Sequence, residues 1–142
     1  EKRYLALVWG IPRHARGGIE EPIGRDPSNR LRMAVVEDGK PSRTDYRILA
    51  TYREGFSLLE CDLRTGRTHQ IRVHLRHGGH PLVGDTLYAP RRKTSFPIER
   101  VFLHSWRLTI PHPKDGRRLS FHSPLPFDLV EILRGLHPGQ QA

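Results

Sequence analysis

The sequence contains one cysteine and no long hydrophobic run, and each shortage excludes a class of protein. The single cysteine, Cys61, excludes an internal disulfide framework and is typical of a reducing compartment, so a cytoplasmic location is expected. No apolar run approaches the roughly 20 residues that a membrane-spanning helix needs. The first ten residues lack the length and cleavage site of a signal peptide. We therefore expect no association with a membrane.

Motifs of common metal and nucleotide sites are also missing. The chain has no CxxC or HExxH pattern, and the stretch 66–72 lacks the Lys-Ser/Thr ending of a P-loop. Three histidines do recur at a spacing of three residues: His74, His77 and His80. Because Gly78 and Gly79 are expected to end a helix before His80, the three would not share a face. The sequence thus predicts no metal site.

Two further patterns around Cys61 are read as structural. Cys61 lies in an apolar strand pattern beside Glu60, and a carboxylate neighbour disfavours a thiolate, so a packed and inert thiol is predicted. Glu60 and Asp62 share one strand face and could act as paired carboxylates. Exposure of both beside Arg64 is the simpler expectation.

Arginine is what the sequence has in excess. The formal net charge is +9 at pH 7, and all but four of the 24 basic residues are arginine. The guanidinium group is a planar fork that binds phosphate through two hydrogen bonds and stacks on bases. A basic surface of this kind favours a polyanionic partner, most simply nucleic acid. A genome rich in G and C would produce the same excess without any function.

The periodicity of the 142 residues predicts one α+β domain, with a mostly antiparallel mixed sheet and a few helices. Strands are expected at 3–9, 32–40, 43–52, 56–63, 101–110 and 118–123, joined mainly by turns. The segment 10–30 is dense in Gly and Pro and is expected to be turns. A helix is predicted from about His69 to His77, capped by Thr68, and a second over 126–136.

The first predicted helix carries the clearest candidate chemistry. His69 and Arg72 are three residues apart and share one face, where Arg72 can bind an anion or a carboxylate with two hydrogen bonds. A surface helix with solvated charges is the alternative. Tyr4 in the first strand is either a core residue with its hydroxyl at the edge or a platform that stacks on a base.

These patterns together resemble a known family. The stretch 63–88, LRTGRTHQIRVHLRHGGHPLVGDTLY, closely resembles the signature of the RluA-type (RluA/RluD-like) RNA pseudouridine synthases. Three shorter stretches resemble other motifs of that family: EKRYLALVWG at 1–10, GKPSRTDYRIL at 39–49 and FLHSWRL at 102–108. The resemblance covers nearly the whole chain, in order.

The resemblance implies an enzyme that isomerises uridine to pseudouridine in structured ribosomal or transfer RNA, without a cofactor or a metal. The target nucleotide would be flipped out of its RNA context into a pocket. Tyr4 matches the tyrosine that packs on the flipped base and takes part in proton movement at its C5. Arg72 matches the arginine that pairs with the catalytic aspartate, and Leu103 an apolar wall beside the uracil. Arg67, His69 and Gln70 would supply hydrogen-bond donors that either brace the loop or bind phosphate.

The sequence departs from the family pattern at one important place. It contains no Arg-Leu-Asp motif, which in the family carries the catalytic aspartate, and Asp85 matches a Gly-Asp turn instead. We therefore expect residues 1–142 to be the C-terminal portion of a single catalytic domain, inactive alone, in which Arg72 lacks its aspartate partner. An open sheet edge would then favour self-association.

Two other functions fit the same residues. A non-catalytic RNA-binding module would keep the scaffold without the catalytic aspartate. A basic domain could also bind DNA or a ribosomal surface by charge alone, and Tyr4 and Arg72 would then be dispensable.

Overall fold

The computed structural model describes residues 1–139, which form a six-stranded sheet, a separate two-stranded sheet and two helices. The large sheet has the order β2-β5-β6-β1-β7-β8 and the small one pairs β3 with β4, and every pair is antiparallel. This confirms the predicted α+β class. The strands are β1 Lys2–Trp9, β2 Arg16–Glu20, β3 Ile23–Arg25, β4 Met33–Val35, β5 Arg43–Thr51, β6 Phe56–Leu63, β7 Leu103–Pro111 and β8 Arg118–His122; the helices are α1 Gln70–His77 and α2 Phe127–Gly135.

Strand β1 lies inside the large sheet and contributes to a core on each face. Ala6 and Val8 pack with Ile71 of α1 on one side, whereas Leu7 packs with Leu129 of α2 on the other. Successive side chains of a strand point to opposite faces, so the continuous apolar run of β1 is what a sheet covered on both sides requires. The sheet therefore positions α1 on the face that also carries Tyr4.

The segment 10–30 was expected to be turns, and this expectation is wrong in part because it contains β2 and β3. The glycines of β2 lie directly against side chains of β5. A Cβ built on Gly17 would lie 2.6 Å from the hydroxyl oxygen of Tyr46, and one on Gly18 would lie 2.8 Å from a carboxylate oxygen of Asp45. A glycine pair in a strand resembles a turn in sequence but here permits packing of side chains from the neighbouring strand.

The start of α1 also differs from the expectation. The residue before the helix is His69, which adopts a left-handed conformation with φ 54°, and no side-chain hydrogen bond caps the helix. Thr68 is therefore not the cap. The predicted end is confirmed, since the helix stops at His77 and Gly79 follows with φ 89°. A non-glycine residue at positive φ is strained, and such residues are found at functional sites.

Helix α2 is confirmed as predicted, with Pro126 directly before it and Leu129 buried against the sheet. Within residues 1–139, no helix is long and apolar enough to cross a membrane.

Candidate functional site

The side chain of Arg72 is held by a carboxylate from the loop after α1. Its Nε and Nη2 atoms donate to Oδ2 and Oδ1 of Asp85, each at 2.8 Å. The Asp85 side chain is fully buried, and that of Arg72 is 19% exposed. Arg72 thus has a carboxylate partner within the chain that the sequence did not predict, supplied by the Gly84-Asp85 turn. Asp85 is not the aspartate of the Arg-Leu-Asp motif, so the absence of the catalytic aspartate from this chain remains a prediction.

Asp85 is ionised in this arrangement. Burial opposes the charge, but hydrogen bonds from Arg72 and from the backbone N–H groups of Tyr88 and Leu87 outweigh it, and the pKa of Asp85 is lowered. A charge-assisted pair with two parallel hydrogen bonds is the strongest geometry available to these groups. Arg72 is consequently fixed in direction as well as in charge.

Tyr88 completes this cluster. The centre of its ring lies 4.9 Å from the guanidinium carbon of Arg72, within the range of a cation–π interaction. Its hydroxyl oxygen lies 2.8 Å from Nδ1 of His69 and accepts the backbone N–H of Met33 at 2.9 Å. Burial lowers the pKa of His69, and the positive charge of Arg72 adds to this effect. His69 is therefore neutral at pH 7.

Gln70 and Arg67 brace the glycine turn before α1. The Gln70 side chain is 3% exposed, and its oxygen accepts from the Thr65 hydroxyl at 2.7 Å and from the Arg67 N–H at 3.0 Å. Its amide nitrogen donates to the carbonyl of Arg43 and to the hydroxyl of Thr44. All four hydrogen-bonding positions of the Gln70 amide are thus occupied within the protein.

Arg67 is half-buried, and its guanidinium is also engaged. Its Nε and Nη2 atoms donate to the carbonyl oxygen of Pro41 at 3.1 and 2.9 Å. Contacts of Arg67, His69 and Gln70 with substrate remain a prediction.

Tyr4 and Leu103 lie on the sheet face that α1 covers. Tyr4 on β1 is paired with Ser105 of β7, and Leu103 is paired with Ala6. Both side chains are partly buried against the core formed with α1. Among residues 1–139, no hydrogen bond or ion pair links Tyr4 to the cluster of Arg72, Asp85 and Tyr88. The structure therefore places the two predicted catalytic residues on one side of the sheet, in separate groups.

On the opposite face of the sheet, the expected exposure of both Glu60 and Asp62 is wrong for Glu60. Glu60 is not exposed: its side chain is 5% exposed and accepts from Arg47 at 2.8 Å and from Arg3 at 3.4 Å. Asp62 is partly exposed and lies 3.6 Å from Arg64, as expected. Glu60 is buried because arginines of the two neighbouring strands cover it, which spacing along a single strand does not reveal.

The prediction for Cys61 is confirmed. The thiol is buried, and desolvation, with the nearby charge of Glu60, raises its pKa to about 12. A thiol in this state is not a nucleophile at neutral pH.

Two of the three histidines of the candidate metal pattern form hydrogen bonds with different parts of the chain. His74 is fully buried, and its Nδ1 and Nε2 atoms lie within hydrogen-bonding distance of the Thr44 hydroxyl and the Glu21 carbonyl oxygen. His80 bonds to the carbonyl oxygen of Trp9. In the part of the chain that the structure describes, no three His, Cys, Asp or Glu side chains are placed to hold a metal ion.

The burial of His74 predicts that acid lowers the free energy of unfolding. Burial lowers its pKa below 6.5, so the folded protein resists a proton that the unfolded chain accepts. The free energy of unfolding should therefore decrease as the pH falls below about 6.5, by up to about 1.4 kcal/mol per pH unit. The dependence should weaken in His74→Gln and persist in His14→Gln, which alters an exposed histidine. Urea unfolding at pH 7.5 to 5 checks this, and an undiminished slope in His74→Gln would contradict it.

Sequence reasoning missed Asp85, Tyr88 and Thr44 as parts of this site. The signal for Asp85 and Tyr88 was present, because both belong to the 63–88 motif. Thr44 lies on β5, and its contact with His74 and Gln70 depends on how α1 packs across the sheet.

Comparisons with known proteins identify the family of the chain. The family described as RNA pseudouridylate synthase matches residues 1–77. An uncharacterized RNA pseudouridine synthase of Chloroflexus aurantiacus is 56% identical over 135 residues, which are 95% of this chain and 42% of that protein. Ribosomal large subunit pseudouridine synthase D of Nitrosomonas europaea is 46% identical, covering 96% of this chain and 41% of that protein. The chain thus spans about two fifths of the length of these relatives.

Two solved human structures share the fold. RNA pseudouridylate synthase domain containing 1 superimposes with a TM-score of 0.78 at 33% identity, over 99% of this chain and 61% of that one. RNA pseudouridylate synthase domain containing 4 has a TM-score of 0.72 at 22% identity, over 94% of this chain and 60% of that one, which shows the fold alone. The fold is that of a pseudouridine synthase domain. The chain belongs to the RNA pseudouridine synthase family, and to its RluA type as the motifs predict.

Proposed function

We propose that the complete protein carrying these residues isomerises uridine to pseudouridine in structured RNA, ribosomal or transfer. Residues 1–142 would be the C-terminal portion of its catalytic domain. Support comes from the family match, from the names of the relatives and from the share of their length that this chain spans. A cytoplasmic location is part of the proposal and rests on the single, unpaired Cys61.

The observation that carries the proposal is the state of Arg72. A guanidinium has five N–H groups, and Asp85 takes only two of them, on the Nε and Nη2 edge. The Nη1 edge remains available on a side chain that is still 19% exposed. Arg72 can therefore bridge two carboxylates, Asp85 and the aspartate of an Arg-Leu-Asp segment contributed by the rest of the domain. In this role Arg72 would keep the catalytic aspartate ionised and fix the orientation of its carboxylate.

The other predicted site residues fit the same reaction. The reaction exchanges a carbon–nitrogen glycosidic bond for a carbon–carbon bond, so the base must detach and turn within the site. Tyr4 offers a ring face for a pyrimidine and one hydroxyl for proton movement at C5, while Leu103 adds an apolar wall on the same sheet face. His69 adds an uncharged hydrogen-bonding group beside Arg72.

Assay of pseudouridine formation tests the proposal. The complete protein, incubated with transcripts of ribosomal and transfer RNA, should produce pseudouridine that mass spectrometry detects at defined positions. The 142-residue chain alone should produce none, because it supplies the arginine and the tyrosine but not the catalytic aspartate.

Two outcomes would contradict the proposal. Pseudouridine made by the 142-residue chain would show that the aspartate is dispensable or already present. RNA binding by the complete protein without any pseudouridine would favour the alternative, a non-catalytic RNA-binding module on the same scaffold.

Self-association through the sheet edge remains part of the proposal. Among the described residues β8 forms one edge of the large sheet, and its Phe121 is 53% exposed. An unpaired edge with an exposed aromatic side chain is a surface on which a second strand can pair.

A further inference from the structure

A groove of about 510 Å³ lies beside the Arg72 cluster. Four arginines from three segments of the chain line it, together with Tyr88 and two prolines, and no acidic side chain is among its lining residues. We call this the arginine groove; its basic residues are Arg32, Arg76, Arg91 and Arg92. A concave surface lined by positively charged side chains attracts and concentrates anions.

Three of these guanidinium groups are available to a ligand. Arg76, Arg91 and Arg92 are exposed, and within residues 1–139 none of them forms an ion pair with a carboxylate. The fourth, Arg32, is only 19% exposed and lies 3.3 Å from Asp26. The groove thus differs from the cleft on the opposite sheet face, where arginines such as Arg47 are paired with acidic residues.

The groove is held in place next to the site. The Tyr88 ring that contacts the guanidinium of Arg72 also forms part of the groove wall. Arg92 lies over the indole ring of Trp9, with its guanidinium carbon 5.3 Å from the ring centre, which orients this otherwise exposed side chain. The groove and the Arg72 cluster are therefore continuous through one aromatic residue.

We propose that the arginine groove binds the sugar–phosphate backbone of single-stranded RNA next to the nucleotide that reacts, with Arg76, Arg91 and Arg92 on phosphates. This inference rests on the proposed function. Flipping a nucleotide costs stacking and pairing energy, and contacts to the flanking backbone offset this cost. Guanidinium groups bind phosphate through two hydrogen bonds, and the Tyr88 and proline surfaces suit riboses or bases better than an acidic peptide.

Triple substitution with a matched control tests the groove. The complete protein carrying R76Q/R91Q/R92Q is compared with R53Q/K114Q/R118Q, which removes the same three charges from exposed residues outside the groove. Dissociation constants for a single-stranded oligoribonucleotide are measured between 50 and 200 mM salt. Since each phosphate contact on a single strand contributes about 0.7 to the slope of log K against log salt, the groove variant should lose about two units of slope.

The expected loss of affinity is about 10- to 100-fold at physiological salt, with a clearly smaller loss in the control. At saturating RNA, the groove variant should keep the kcat of pseudouridine formation and show a raised KM, because the groove contacts the flanking backbone and not the reacting base itself. If the triple variant fails to fold, R91Q/R92Q against R53Q/R118Q makes the same comparison.

Two results would overturn the groove assignment alone. Equal losses in the groove variant and the control would show that only net charge matters. Arginine-dependent binding of poly-glutamate with unchanged RNA binding would assign the groove to an acidic peptide. Failure of the proposed function is distinguishable, because the unsubstituted complete protein would then bind no RNA or form no pseudouridine.

Discussion

Asp85→Asn is expected to lower the free energy of unfolding by about 2–4 kcal/mol at pH 7. Removing one member of a buried ion pair leaves the other charge uncompensated, at a cost of about 3–5 kcal/mol when both are fully buried. The expected loss is smaller here because Arg72 keeps 19% of its side chain exposed. The substitution also weakens the turn, in which Asp85 accepts the N–H groups of Leu87 and Tyr88.

The chain offers a matched control for this measurement. Asp128 receives two hydrogen bonds from Arg100, at 3.0 and 3.2 Å, but the Asp128 side chain is 61% exposed. An exposed ion pair contributes about 0–1 kcal/mol, so Asp128→Asn should have little effect. Urea unfolding of the 142-residue chain measures both. Equal losses would show that burial of the Arg72–Asp85 pair does not matter for stability.

The pH dependence gives the Asp85 prediction a second test. The pKa of Asp85 is lowered in the folded protein, so the ionised carboxylate stabilises the fold above its ordinary pKa of 3.8. This contribution is lost as the pH falls from 3.8 through the lowered value, because the unfolded chain takes up the proton before the folded protein does. The difference in stability between the unsubstituted chain and Asp85→Asn should therefore shrink in acid. A constant difference would exclude ionisation of Asp85 as its cause.

Local patterns in the sequence predict most of the architecture. Strands β5 and β6 follow from their apolar patterns and the turn between them, and α1 follows from its periodicity and the glycine pair after it. Strand β2 did not follow, because the pair Gly17 and Gly18 is typical of a turn. The contacts that these glycines make with side chains of β5 exist only once the two strands are paired.

The sequence motif of the candidate site was predictable, but the contacts among its side chains were not. The sequence identified Arg72 through its resemblance to a family signature, and assigned its aspartate partner to a segment outside the chain. The structure supplies a partner 13 residues further on, because the chain turns at Gly84, which has φ 81°. A Cβ at Gly84 would collide with the carbonyl oxygen of Arg100, so the position requires glycine. This contact joins residues far apart in the sequence, so no local sequence pattern reveals it.

Arg72→Ala in the complete protein is expected to slow pseudouridine formation about 100- to 1,000-fold, as loss of one preorganised charge-stabilising group does in other enzymes. The reason is the free Nη1 edge of Arg72, which would hold the catalytic aspartate ionised. RNA affinity should change by no more than about threefold, because the site arginine contacts protein carboxylates instead of the RNA backbone. Arg72→Lys should also be impaired, since an ammonium group cannot hold two carboxylates in a planar fork.

One complication of Arg72→Ala is that it leaves Asp85 buried without a partner, so lost activity could reflect lost folding. The double variant Arg72→Met, Asp85→Asn removes both charges and keeps similar side-chain volumes. Replacing a buried ion pair with neutral groups is less harmful than breaking it. If Arg72 acts only by stabilising the fold, the double variant should regain activity. If Arg72 acts on the catalytic aspartate, it should not.

Single-turnover pseudouridine formation by this double variant at saturating RNA is thus the most direct measurement of what Arg72 does. If Arg72 acts on the catalytic aspartate, the double variant folds, binds RNA with an affinity near that of the unsubstituted protein and reacts at a rate lower by about 100-fold or more. A folded double variant that forms pseudouridine within about threefold of the unsubstituted rate would show that Arg72 acts only by stabilising the fold.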